Sequence, residues 1–268
     1  MDETQPQFLD VGTGPDRRRI AYLRQASRQS GRQPEKPSLL FLSGFKSEMR
    51  AIKAGAVAKW AAEQGVGCLR FDYSGHGQSE GRFEDGTISR WLEEARVVFD
   101  RLTEGPQVLI GSSMGGHIAL LLLRDLMAEA PEAAARIKGL VLIAPAWNMT
   151  ELMWENLPSN ARREIEEKGV HMRPSRYDDG PYPITRKLIE DGRRHRIGNE
   201  PFDPGRPVHI LHGLQDPDVP WEHTLDLVAL LSGDWTRVAA VPDGEHRLSR
   251  PEDVALLLDV IGGLVGRP

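Results

Sequence analysis

The stretch Gln107–Met127, QVLIGSSMGGHIALLLLRDLM, decides how the rest of the chain is read. Gln107–Ile110 is a largely apolar run of strand length, and Ile118–Met127 has the apolar spacing of a helix. Between them stands Gly111-Ser112-Ser113-Met114-Gly115-Gly116, which contains a Gly-x-Ser-x-Gly sequence. A serine on so sharp a strand-to-helix turn must take strained backbone angles, and small residues two places either side relieve the crowding. Ser113 then projects from the amino end of a helix, whose dipole favours a developing negative charge. Five-letter matches also arise by chance as plain Gly/Ser turns. The strand before this one and the helix after it are what single it out.

Outward from that turn, short apolar runs recur at Leu39–Leu42, Gly67–Phe71, Leu140–Ala144, Val208–Leu211 and Val238–Val241. Several are apolar throughout, as strands covered on both faces tend to be. Ile52–Trp60, Ile88–Leu102, Trp221–Leu231 and Val254–Val265 carry helical spacing, with Ser249 and Pro251 as start signals for the last. In Ile88, Trp91, Leu92, Ala95, Phe99 and Leu102 the helical stripe is clear. This alternation predicts an α/β fold with a mainly parallel central sheet flanked by helices. Arg18–Arg24 alternates in part, like an exposed antiparallel strand, and the polar, Pro-interrupted Ser27–Pro37 reads as a loop. From Ala146 to Pro207 no strand-like run occurs, and sixty-odd residues are too many for a plain loop. The expectation is one domain over residues 1–268, with a helical cap insertion at about 146–207 above the carboxyl ends of the strands, where open α/β sheets bind ligands.

Composition narrows the function. The 268 residues carry 34 basic and 39 acidic side chains, a net charge of −5, so the basic footprint of nucleic-acid binding is missing. No apolar stretch approaches the ~18 residues of a membrane-spanning helix. Met1–Pro15 is polar and acidic, with neither a signal peptide nor an Arg-rich transit peptide visible, and the lone Cys68 precludes an internal disulfide. A cytoplasmic protein is the simplest expectation. No His/Cys spacing suits a metal, and no cofactor is called for.

A serine hydroxyl is a weak nucleophile near neutral pH and needs a base. Of eight histidines, His246 is the best placed, in the loop Asp243-Gly244-Glu245-His246 between the last strand and the last helix. His117 lies in the elbow's own helix, His209 and His212 in or at the end of a strand, His171 and His195 in the insertion. His223 reads as solvated, and His76 as part of a structural Gly-rich turn, Asp72–Ser79. The base needs a carboxylate to hold its tautomer. Asp216 is chosen for this, with Asp218 in reserve and otherwise a helix cap before Pro220. The order Ser113, Asp216, His246 is the serine–acid–histidine order of α/β-hydrolases. Acyl transfer also needs amide donors for the oxyanion, expected from the backbone N–H groups of Met114 and Phe45. Trp147, Leu152, Met153 and Trp154, with Met149, are candidates for an acyl pocket, or else they pack the insertion onto the sheet. Arg193–Arg196 read as a solvated face.

Taken together these segments resemble an α/β-hydrolase over nearly the whole chain. A narrower resemblance rests on Leu69–Ser79 (LRFDYSGHGQS), Gly105–Gly116 (GPQVLIGSSMGG), Leu157-Pro158, Lys168-Gly169-Val170, Leu211–Trp221 (LHGLQDPDVPW) and His246-Arg247. There the chain is similar to the family of mitochondrial palmitoyl-protein thioesterases that are also acyl-glucuronide esterases, and to its bacterial relatives. The resemblance implies that Ser113, Asp216 and His246 match the family triad and that Phe45 and Met114 match its oxyanion positions. It also implies hydrolysis of S-acyl cysteine thioesters and acyl-glucuronide esters. The chain departs from the family in lacking a mitochondrial presequence, which points to a different physiological substrate. The expected activity is a serine hydrolase acting on esters or thioesters of small molecules or acylated proteins. A peptidase or acyltransferase on the same residues, and a low-turnover binding protein, are the alternatives.

Overall fold

In the computed structural model, which describes residues 5–28, 36–175, 180–198 and 200–266, the apolar runs become the interior of one eight-stranded sheet. In chain order the strands and helices are β1 (Gln7–Val11), β2 (Arg18–Gln25), β3 (Ser38–Leu42), α1 (Ile52–Gln64), β4 (Cys68–Phe71), α2 (Ile88–Leu102), β5 (Gln107–Ser112), α3 (Met114–Glu129), α4 (Pro131–Ala135) and β6 (Ile137–Ile143). There follow α5 (Met149–Glu155), α6 (Ser159–Lys168), β7 (Val170–Arg173), β8 (Tyr182–Thr185), α7 (Arg186–Gly192), β9 (Val208–Gly213), α8 (Trp221–Leu230), β10 (Thr236–Val241) and α9 (Pro251–Val265). The sheet order is β1-β2-β4-β3-β5-β6-β9-β10. The six strands from β4 to β10 run parallel, and β1 and β2 add an antiparallel edge.

Successive side chains of a strand point to opposite faces, so a strand buried on both faces must be apolar at every position. Here Leu40, Leu42, Leu109, Leu140 and Leu142 pack with α2 and α3 on one face. Their neighbours Leu39, Phe41, Val108, Ile110, Val141 and Ile143 pack with α1 and α9 on the other. The helical stripe of α2 is buried through Ile88, Trp91, Leu92, Ala95, Val98 and Phe99, as its spacing predicts, and Thr87 caps it by accepting the Arg90 N–H.

Three expectations change. β1 was not foreseen, and because Ile20 and Tyr22 of β2 join the α2-side core while Ala21 and Leu23 pack on Met49, β2 is buried rather than exposed. Ser249 does not start the last helix: Pro251 opens it, and the Asp253 carboxylate accepts the Arg250 N–H. The insertion between β6 and β9 is not purely helical. β7 and β8 form a two-stranded antiparallel sheet beside α5, α6 and α7, and their short segments VHMR and YPIT carry charges and a proline that hide strand character. Residues 29–35 of the expected loop Ser27–Pro37 lie outside the described residues, so that reading stands as an expectation.

Candidate active site

The turn after β5 places Ser113 at φ 52°, ψ −113°, in the left-handed half of backbone space where a side chain is strained. The flanking glycines are required by close approach. A Cβ on Gly111 would stand 2.4 Å from the Gly115 carbonyl oxygen, and one on Gly115 would stand 2.0 Å from that of Leu42. α3 therefore starts directly against β5 and β3, with Ser113 at its head.

The carboxyl ends of two further strands bring the partners. β9 ends in a turn carrying Asp216, and the loop after β10 carries His246. The Ser113 hydroxyl oxygen lies 3.0 Å from His246 Nε2, and His246 Nδ1 lies 2.7 Å from Asp216 Oδ2. The other oxygen, Oδ1, accepts the N–H groups of Asp218 and Val219 at 2.8 and 2.9 Å, which fixes the carboxylate plane. Gly213 and Gly244 let the two loops meet, since a Cβ on Gly213 would fall 2.3 Å from the Gly244 carbonyl oxygen. A ring nitrogen at that distance is placed to take the serine proton, and the buried carboxylate is placed to hold the ring.

Asp218, the reserve acid, points elsewhere. Its carboxylate stands 3.5 Å from the Arg173 guanidinium of β7, and Pro220 rather than Asp218 precedes α8. Asp216, Asp218 and His246 bring potential metal ligands within 4.8 Å of one another, but Nδ1 and Oδ2 already bond each other there. The Phe45 and Met114 N–H groups have no protein acceptor among the described residues.

A cavity of about 420 Å³ opens onto Ser113 and His246. The cap contributes Met149, Leu152, Met153 and Asn156 from α5 and its edge, and Arg173 and Tyr182 from the hairpin. Leu152 and Met153 thus line the cavity. Trp147 and Trp154 do not line it: Trp147 stacks on the His223 ring at 4.9 Å and donates its indole N–H to the His223 carbonyl, while Trp154 packs against the core with Arg162 over its ring. An indole seeks both an apolar face and an acceptor, and the α8 side supplies both. His223 is accordingly not solvated. Its Nε2 meets the Trp147 carbonyl at 2.7 Å, and burial lowers its pKa.

His195 also leaves the solvated face expected of Arg193–Arg196. Its Nε2 lies 2.6 Å from the Ser89 hydroxyl, which donates to Asp191, while its carbonyl meets His117 Nε2 at 3.2 Å. This second Ser, His, Asp grouping has the acid on the serine instead of on the imidazole, so it latches the cap to α2 and α3 and does not resemble a relay. Sequence reasoning also passed over Lys53, half-buried on the cavity wall. It bonds the Arg247 carbonyl and Ser249 beside His246, and burial followed by the Arg247 charge brings its pKa down to about 8. Nothing local in α1 announces that contact.

A profile described as "Serine aminopeptidase, S33" (Hydrolase_4) matches residues 33–182. The human mitochondrial palmitoyl-protein thioesterase ABHD10 is 30% identical over 264 residues, 98% of this chain and 82% of the relative. Among solved structures, a protein from Agrobacterium vitis S4 superposes with a TM-score of 0.92 at 44% identity, covering 97% of this chain and 98% of the other. Mouse α/β hydrolase domain-containing protein 10 gives 0.83 at 31% identity, covering 98% and 99%. With its parallel sheet, strained elbow and near full-length likeness to these relatives, the chain belongs to the Hydrolase_4 family of α/β-hydrolases.

Proposed function

We propose that this chain is a serine hydrolase that cleaves carboxylic esters or acyl thioesters through an acyl-enzyme on Ser113. The observation that carries the reading is the continuous line of contacts from Ser113 Oγ through His246 to Asp216, built on the ends of three parallel strands. In the first step the Ser113 oxygen attacks the substrate carbonyl carbon while His246 Nε2 takes its proton. The tetrahedral oxyanion is received by the Phe45 and Met114 N–H groups. Collapse expels the alcohol or thiol, which takes the proton from His246. Water then repeats the sequence and releases the acid. Asp216 holds Nδ1 protonated and steadies the imidazolium in both halves. Each oxyanion donor contributes about 10²–10³ in rate in comparable sites.

The name of the ABHD10 relatives supports thioesters among the substrates, and the apolar wall of Met149, Leu152 and Met153 suits an acyl chain. The test is a series of acyl thioesters, matching oxygen esters and amides. We expect turnover of thioester and oxygen ester alike, with poor cleavage of amides. Turnover confined to amides would replace this reading with a peptidase, and binding of the whole series without turnover would replace it with a binding protein.

A further inference from the structure

The turn Asp72–Ser79 looks purely structural in sequence, yet one of its side chains reaches the reacting centre's neighbourhood. His76 is almost fully buried. Its Nε2 accepts the Lys46 N–H at 3.0 Å, and its Nδ1 faces the Ser74 carbonyl at 3.2 Å. A backbone N–H needs an acceptor on one side and a carbonyl needs a donor on the other, so the ring is the neutral Nδ1–H tautomer. Burial lowers its pKa to about 4, which keeps it neutral over ordinary working pH.

Lys46 sits in the turn Gly44–Ser47, closed by the Ser47 N–H on the Gly44 carbonyl, and its φ is 56°. A residue with a side chain is strained in that conformation, so the surroundings must impose it. Phe45 packs edge-on to Phe83, Trp91 and Tyr182, with ring centroids 4.9 to 5.9 Å away. Those contacts place the Phe45 ring but do not orient its peptide planes. The bond to His76 fixes the Phe45–Lys46 plane, and only the φ and ψ of Phe45, bounded by its seated ring, stand between that plane and the Phe45 N–H. The imidazole is itself boxed in by Phe83, Trp91 and Tyr73. Behind it, Ser74 donates its N–H to the buried Glu94 carboxylate, which pairs with Arg18, while the Trp91 indole N–H shares the Ser74 carbonyl.

We propose that His76 is a positioning residue for the oxyanion site, holding the Lys46 N–H so that the neighbouring Phe45 N–H is aimed at the developing oxyanion. The inference rests on the reading of Phe45 as an oxyanion donor. A purely structural His76 would affect folding alone. A positioning one affects the transition state more than the ground state.

The experiment compares wild type with His76→Leu, His76→Gln and His76→Asn, each standardised by active-site titration with a fluorophosphonate. Two quantities are read: kcat and KM on a short p-nitrophenyl ester, and the inhibition constant of an alkylboronic acid, whose serine adduct is tetrahedral. His76→Leu should lower kcat about 10- to 100-fold with KM within about threefold, and weaken the boronic acid by a similar factor. Gln, whose carbonyl reaches the place of Nε2, should restore both to within about fivefold of wild type, whereas the shorter Asn should not. Unchanged kcat and boronic-acid inhibition in His76→Leu would overturn the proposal, as would a Gln variant no better than Leu. If the Leu variant does not fold, the Gln–Asn contrast decides, and equal values for those two overturn the proposal. Activity surviving in Ser113→Ala would instead defeat the serine mechanism itself, and the inference with it.

Discussion

The strand ends and the cap solve different problems in one cavity. Ser113, Asp216 and His246 stand on turns after β5, β9 and β10; β5 and β9 are packed on both faces, and β10 is the sheet edge paired to β9 with Ala239 and Val241 against the α9-side core. Their mutual distances are therefore inherited from the sheet. The cap reaches the same cavity from about sixty residues of chain and is tied down by separate polar contacts. These include Arg173 to Asp218, Lys46 Nζ to the Gly180 carbonyl, Ser89 to Asp191 and His117 Nε2 to the His195 carbonyl. Groups that must be held within tenths of an ångström ride on rigid elements, and those that choose among substrates ride on loops.

The largest effect is expected at the strand ends. Asp216→Asn favours the wrong imidazole tautomer and should cost about 10⁴ in kcat, as the same change does in serine proteases. Asp218→Asn, which loosens the ion pair to Arg173 of the cap and leaves the His246–Asp216 contact in place, should cost less than about tenfold. A larger loss in Asp218→Asn, measured by steady-state kinetics, would mean that cap and relay are not separable.

Next in size is packing. Leu109 is fully buried in β5, and Leu109→Ala should destabilise the fold by about 2–5 kcal/mol in chemical denaturation. A cost under 1 kcal/mol would mean that the elbow does not depend on the sheet's packing.

The joint between the two regions should show in acid. His117 and His76, with pKa values lowered by burial to about 3 and about 4, stay neutral when folded and take protons from pH 6.5 downward when unfolded. The unfolded state thus binds more protons between pH 6.5 and 4, so stability falls as pH drops through that window, by about 2.7 kcal/mol per pH unit at most from the two together. Asp72 and Glu94, whose carboxyl pKa values burial raises, act the opposite way. Urea melts across this range should lose about one proton of slope in His117→Gln. An unchanged slope would show that this histidine does not titrate on unfolding.

The smallest effect belongs to the cap wall. Each buried methylene of substrate is worth about 0.8 kcal/mol, so kcat/KM should climb a few-fold per acyl carbon until the cavity is full. Met153→Ala should flatten that climb, while Trp154→Ala, which stands off the cavity, should leave the chain-length profile alone. The reverse pattern would mean that the acyl chain leaves along another wall.

Legibility followed the same division. Parallel strands buried on both faces announce themselves as unbroken apolar runs, and the elbow's glycines are dictated by backbone clearance, so β3 to β6, β9 and the turn that carries Ser113 could be read locally, while β10, a half-exposed edge strand, shows only the short run Val238–Val241. β1, QFLDV, could not, because an edge strand of five residues with alternating exposure resembles a polar terminus. His223 and His195 read as solvated for one reason. A lone polar residue in a helix or turn looks solvated until tertiary packing brings its partner, and these partners lie 76 and 106 positions away. The tryptophans erred in the other direction, since apolar character predicts burial but not which cavity is being walled.

The central claim is that Ser113 is the activated nucleophile, and covalent labelling tests it most directly. Wild-type protein treated with a fluorophosphonate should gain the mass of one adduct, peptide mapping should place it on Ser113, and Ser113→Ala should gain none while melting as wild type does. An adduct that persists in Ser113→Ala, or that maps to another serine such as Ser89, would contradict the account.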